Sequence, residues 1–272
     1  MEIFSPSPRQ LVRSLIDNRR LIRALASREI AARYRGSLLG FTWSVVQPVF
    51  MLAIYAFVFS EVFKARWPGG TGSKAEFALV LFAGLLVFNM FSDIFNRAPS
   101  LILSNANYVK RVVFPLEILS VVSVLTTLFN LVISLAVWLA FYMVAFGVPH
   151  ATALLAPVVL LPLVFFMTGL SWLIASLGVY LRDIAQITAI ISTAMMFLTP
   201  IFFPVESIPP KFQPILNLNP LAPIVHEIRD VLMFDRGIDP TVYAIVLAVS
   251  LAVMCLGFAF FQKVRRGFAD VL

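Results

Sequence analysis

The sequence predicts an all-α polytopic membrane protein. It has six transmembrane helices, an N-terminal amphipathic interface helix, and short re-entrant helices between spans five and six. Three observations carry that reading. Of 272 residues, 60% are hydrophobic and only 13% charged, about half the charge of an ordinary soluble domain. A water-soluble chain of this length has too little interior to hide so much apolar surface. Uncharged runs recur at the length a membrane helix needs, about 20 residues. The sharpest boundary is at Gly36, where a cluster of Arg23, Arg28, Arg33 and Arg35 gives way to 25 uncharged residues ending before Glu61. No hydrophilic stretch is long enough for a second domain, so residues 1–272 form one.

The formal net charge of +7 follows topology rather than a nucleic-acid partner. Fifteen of the 21 Lys and Arg residues fall in the N-terminal arm, the inner loops and the C-terminal tail. That positive-inside asymmetry places both termini in the cytoplasm. The first 35 residues hold no uninterrupted apolar core with a small-residue cleavage site, so the first span is expected to drive insertion. Cys255 is the only cysteine, which excludes an intrachain disulfide.

Residues 8–35 predict the interface helix. At about 100° per residue, Leu11, Leu15, Ile22 and Leu25 fall within roughly 80° of one another. Arg13, Arg20, Arg28 and Arg35 gather opposite, while Arg19, Arg23 and Arg33 break the pattern. Such a helix lies in the membrane interface facing lipid phosphates or a partner, or acts only as a topology anchor. The first span covers 36–63, and the Pro/Gly-rich stretch Lys64–Glu76 is an outer loop. The second span covers 77–96, with Asp93 near its inner end, and 97–115 is an inner loop with helical potential. From Ile118 to Leu181 there is no formal charge for 64 residues, and Gly147-Val148-Pro149-His150 divides them into spans 116–146 and 152–180. Arg182-Asp183 marks an inner turn before the fifth span, 184–204. Residues 205–239 are largely apolar but broken by Pro209, Pro210, Pro214, Pro220 and Pro223, which fits an outer cap of re-entrant or interfacial helices. The sixth span is 240–262.

Catalytic chemistry is poorly supplied. His150 and His226 lie far apart, and neither HExxH nor a Cys/His cluster of metal spacing occurs. Gly69-Gly70-Thr71-Gly72 precedes no Lys-Ser/Thr helix start, so no Walker loop is present. The span centres hold no ionisable residue, unlike ion-driven transporters. The energy for any transport is therefore expected from a partner. Aromatics are plentiful instead, with 26 Phe. Tyr55, Phe59 and Phe63 form one stripe on the first span, and Phe197, Phe202 and Phe203 gather at the outer end of the fifth. These are candidate pore aromatics along which sugar faces could slide, or ordinary packing and lipid-facing rings.

Four motifs run through the chain in order. The first is Arg28-Glu29-Ile30 with Arg33-Tyr34-Arg35-Gly36-Ser37, Leu39-Gly40, Trp43 and Pro48. The second is Asn107-Tyr108-Val109-Lys110-Arg111 with Phe114-Pro115. The third is Tyr180-Leu181-Arg182-Asp183-Ile184. The fourth is Thr199-Pro200-Ile201 with Pro204, then Asn219-Pro220 and Arg229. Together the chain resembles the membrane subunit of ABC-2 type transporters, in particular the polysaccharide-export permeases of the O-antigen, teichoic-acid and capsule group.

The resemblance implies a homodimer in the bacterial inner membrane with two ATP-binding subunits docked on its cytoplasmic side. ATP and Mg would be held by those subunits, with no cofactor in this chain. Docking and coupling would fall to Arg28 and Glu29 on the interface helix and to Ser100, Leu101, Ser104 and Asn105 in the inner loop. A segment entering an ATPase cleft needs few charges and small polar residues. The cargo implied is a lipid-linked polysaccharide on an undecaprenyl-pyrophosphate or similar anchor. Arg33, Arg35, Lys110, Arg111 and Arg182 are candidates to meet its phosphates at the entrance, where a guanidinium's planar fork pairs two oxygens. The same residues could serve only topology or contact membrane lipids. The alternatives are an ABC-2 permease for a drug or small lipid, a membrane enzyme, and a passive channel or scramblase. The enzyme would need clustered carboxylates or a His/Asp pair at a membrane face, and none is evident.

Overall fold

The structure, a computed structural model, describes residues 7–59, 67, 73–109, 114–205, 208–211, 213, 216 and 218–272. Among these the regular elements are all helical. They are α1 (Pro8–Asp17), α2 (Arg19–Tyr34), α3 (Trp43–Phe57), α4 (Lys74–Arg97), α5 (Ala106–Val109), α6 (Ile118–Phe146), α7 (Ala156–Tyr180), α8 (Ile184–Leu198), α9 (Ala222–Met233), α10 (Pro240–Val264) and α11 (Phe268–Val271). Five segments are long and apolar enough to cross a membrane: Gly40–Phe57, Lys74–Ser100, Ile118–Phe146, Ala151–Tyr180 and Pro240–Val271. The apolar α8 is shorter, at 15 residues.

α4 is the axis of the molecule. It is apolar on all sides and buried along most of its length, against α3, α6, α7, α8 and α9. Trp138 of α6 donates its indole N–H to the Leu79 carbonyl at 2.9 Å, tying α6 to α4. A buried indole needs such a partner. α7 and α10 make the closest helix pair, and glycine permits it: a Cβ on Gly169 would overlap the backbone of Val253 and Met254, and one on Gly257 would overlap Gly169.

The N-terminal arm departs from the single helix expected over 8–35. It is two helices broken at Asn18, whose side-chain amide donates to the Ser14 carbonyl at 2.8 Å. Asn competes for backbone partners in this way and so favours helix ends. Ser7 caps α1 by accepting from the Gln10 N–H, with Pro8 in the first turn. Leu11 and Ser14 of α1 and Ile22, Leu25 and Ala26 of α2 are buried, the last three against Ile118 and Val122 of α6. The leucine side picked out by periodicity therefore faces protein.

The fifth apolar run, expected over 184–204, stops as a helix at Leu198. Thr199 is extended (φ −84°, ψ 133°), the conformation favoured before a proline. In the Pro-rich region, α9 packs Ile224, Val225, Ile228, Val231 and Leu232 into the core beside α4 and α7. Its 12 residues span about 18 Å, too short to cross. The arm, the Ala98–Val109 turns and the C-terminal tail share one end of the bundle, here termed the basic end. The 147–155 turn and α9 lie towards the other.

Candidate functional site: a polar cavity and a docking face

Gly36 (φ +84°) and Gly40 (φ +51°) turn the chain from α2 into α3, conformations that carry little cost for glycine. The turn brings Arg33 and Tyr34 to the same side as Trp43 and Gln47. With Asn89 and Asp93 of α4 and Asn130 of α6, they line a cavity of about 560 Å³. The Tyr34 hydroxyl donates to Asn130 Oδ1 at 3.0 Å. Asp93 accepts from Thr127 Oγ1 at 2.7 Å and pairs with Arg33 at 3.3 Å. Arg97 lies 3.9 Å from Asp93 and forms a second ion pair with Glu29. The side chains of Gln47, Asn89 and Ser134, all lining the cavity, make no hydrogen bond among the described residues.

Below this network the chain leaves α4 in short turns. Ser100 and Ser104 donate to the Arg97 and Ser100 carbonyls, and Asn105 donates to the Leu101 carbonyl. This tightly wound tip satisfies its own backbone. Leu101 and Ile102 are buried, whereas Ser100, Leu103 and Ser104 are exposed. The helical phase thus turns Leu101, expected at the docking surface, into the core, and Leu103 takes the outward place. Arg28 donates to the Tyr108 hydroxyl at 2.8 Å, and Tyr108 stacks on Phe114 with centroids 4.2 Å apart. Arg28 and Glu29 therefore brace the tip from α2.

Glu117 joins three pieces of chain behind that tip. Its carboxylate accepts from Ser14 of α1 and from Arg265 of the tail, both at 2.6 Å, and its carbonyl accepts from the Trp172 indole of α7 at 2.8 Å. Arg265 also donates to the Phe114 carbonyl at 2.7 Å. Sequence alone placed Glu117 at a span end without a role.

Three of the five candidate phosphate-binding residues, Arg33, Arg35 and Arg182, are among the described residues. Arg33 is held by Asp93, while Arg35 and Arg182 are exposed and make no ion pair among the described residues. Lys110 and Arg111 lie outside the described residues, as does Phe63. The other aromatics partly converge: Phe59 stacks on Phe77 and on Phe202, each at 5.7 Å, and Phe197 lies 6.5 Å from Phe202. Tyr55 packs against the main core, and Phe203 is half-buried.

Where α8 ends, Arg229 reaches in from α9. It is 5% exposed and donates to the carbonyls of Val80 (3.1 Å), Pro200 (2.6 Å) and Ile201 (2.6 Å), while Trp67 covers its guanidinium at 4.6 Å. Asn219 donates to Thr199 Oγ1 at 2.9 Å. In the sequence Arg229 stood out only as part of the fourth motif, after Asn219-Pro220.

A bundle of apolar helices around a central buried one, with five segments long enough to cross a bilayer, has the build of a membrane protein. Residues 20–233 match the family described as ABC-2 type transporter, and the chain belongs to that family. It is similar to the O-antigen export system permease protein RfbA of Myxococcus xanthus, at 30% identity over 96% of this chain and 98% of that one. An RfbA of Klebsiella pneumoniae is 26% identical over 93% and 95%. The polysialic acid transport protein KpsM of Escherichia coli is 26% identical over 85% and 89%.

Proposed function

We propose that this chain is the permease subunit of an ABC exporter that moves a lipid-linked polysaccharide, of O-antigen or capsular kind, across the bacterial inner membrane. The observation that carries this reading is near full-length similarity to permeases named for O-antigen export. The same likeness favours polysaccharide over a drug or small lipid.

In this reading the basic end is cytoplasmic, including both termini, by the positive-inside asymmetry. α8 is the fifth crossing, which brings their number to six, and α9 belongs to a re-entrant outer cap. Two ATP-binding subunits, which hold the ATP and Mg, dock on Ser100, Leu103, Ser104 and Asn105. Arg28 and Glu29 transmit their movement to α2 and α4. A second copy packs against the exposed apolar faces of α3 and α8, where Phe50, Phe57, Ile187 and Ile190 are uncovered. Arg35 and Arg182, with Lys110 and Arg111, meet the phosphates of the lipid anchor. Phe59, Phe197 and Phe202 offer sugar faces a sliding surface near the exit.

Depletion of the chain in cells tests the function. Surface polysaccharide should disappear while lipid-linked polymer accumulates inside, and an ATP-binding subunit should copurify with the tagged chain. Unchanged surface polymer would sink the proposal.

A further inference from the structure

The cavity between α2, α3, α4 and α6 has the chemistry of a site for a neutral ligand. We propose that it receives an uncharged, hydroxyl-rich sugar ring of the cargo, separate from the anchor's phosphates. This rests on the export function proposed above.

Charge is the first argument. The formal charges in and beside the cavity cancel in two pairs, Arg33 with Asp93 and Arg97 with Glu29. A phosphate binding at Arg33 would displace Asp93 and place a second anion beside that carboxylate. Separating a partly buried pair in this way is costly.

Unmet hydrogen bonding is the second. Asn130 and Ser134 are the 13th and 17th residues of α6, roughly 18 and 24 Å along its axis. Amides at membrane depth need partners or water. Gln47 and Asn89 are exposed at the cavity and have no side-chain partner in the protein among the described residues, and the side chain of Asn130 uses only its acceptor, for Tyr34. Each amide offers both a donor and an acceptor. Hydroxyl groups match both, whereas a phosphate matches only donors.

Shape is the third. Trp43 is 45% exposed and lines the cavity beside the amides. A sugar ring likewise has an apolar C–H face and a polar rim. The volume of about 560 Å³ is in the range of small-molecule sites, about 300–1,000 Å³.

Two experiments on the full exporter in cells decide the matter. In the first, photoreactive p-benzoyl-phenylalanine replaces Gln47 or Ser134, one at a time, and surface polymer is measured in the same cells. Irradiation should give a permease adduct recognised by antibody to the polymer, lost when glycan assembly is blocked. Adducts only to phospholipid or to a second permease copy, or none at either position while polymer is exported, would overturn the proposal. Loss of the permease without any change in surface polymer would instead overturn the export function.

In the second, Asn89→Gln and Asn89→Leu are compared at equal membrane level. Glutamine keeps an amide's donor and acceptor, whereas leucine removes both. Asn89→Leu should therefore lower export at least fivefold, and Asn89→Gln should lower it less. The reverse order, or no effect of Asn89→Leu, would overturn the assignment.

Discussion

Gly178 of α7 and Pro99 of the turn after α4 meet backbone to backbone: a Cβ on Gly178 would overlap the Pro99 carbonyl. The tip that exposes Ser100, Leu103 and Ser104 is thereby seated on α7, which packs in turn along α10. Under the docking proposed above, a push on the tip would reach two spans without passing through a flexible side chain. Gly178→Val should unseat the tip. At matched membrane levels, surface polymer should fall at least tenfold while the partner's ATP hydrolysis persists uncoupled. Full export by this variant would show that the seating is dispensable.

Leu101 and Leu103 differ by two residues and should fail differently. Leu103→Asp alters an exposed position, so the chain should insert normally and lose copurification with its ATP-binding subunit. Leu101→Asp buries a carboxylate in the core and should instead lower the amount of folded protein. Pull-down at matched expression separates the two outcomes.

Arg229 satisfies three buried carbonyls from one side chain. Arg229→Leu leaves them stranded at about 1–3 kcal/mol each. The expected result is a clear drop in the thermal midpoint of the detergent-solubilised protein. Arg229→Lys, with one ammonium for three separate carbonyls, should fall between.

Glu117 and Arg265 have side chains only 7% and 12% exposed. Removing either partner alone strands the other charge, at about 3–5 kcal/mol. Glu117→Leu combined with Arg265→Met should cost less than the sum of the singles. A double-mutant cycle on unfolding measures the difference, and strict additivity would count against the junction.

The long apolar helices were legible in sequence because each is an uncharged run bounded by charge or by Gly/Pro. α4, α6, α7 and α10 leave little room for another reading. Shorter-range features were harder to see. The break at Asn18 is one polar residue in an arginine-rich stretch, invisible to a wheel averaged over 28 positions. The early end of α8 was signalled by Thr199 before Pro200, but the apolar run continues past it to Pro204 and hid the stop. The cavity could not be read at all. Gln47, Asn89 and Asn130 are isolated amides in three separate spans, and only the tertiary fold brings them together. That Leu101 is buried and Leu103 exposed is a matter of phase in turns too short to show a period.

The length of α8 has a consequence for the surrounding lipid. Fifteen residues rise about 22 Å, against a hydrocarbon layer of about 30 Å. With α8 as a crossing, the shortfall of about 8 Å falls to the apolar residues 199–204 beyond its end, to a covering protein neighbour, or to local thinning at a fraction of a kcal/mol per ångström. A second copy packed on α8, as proposed above, would hide this short helix from lipid and spare the bilayer that deformation.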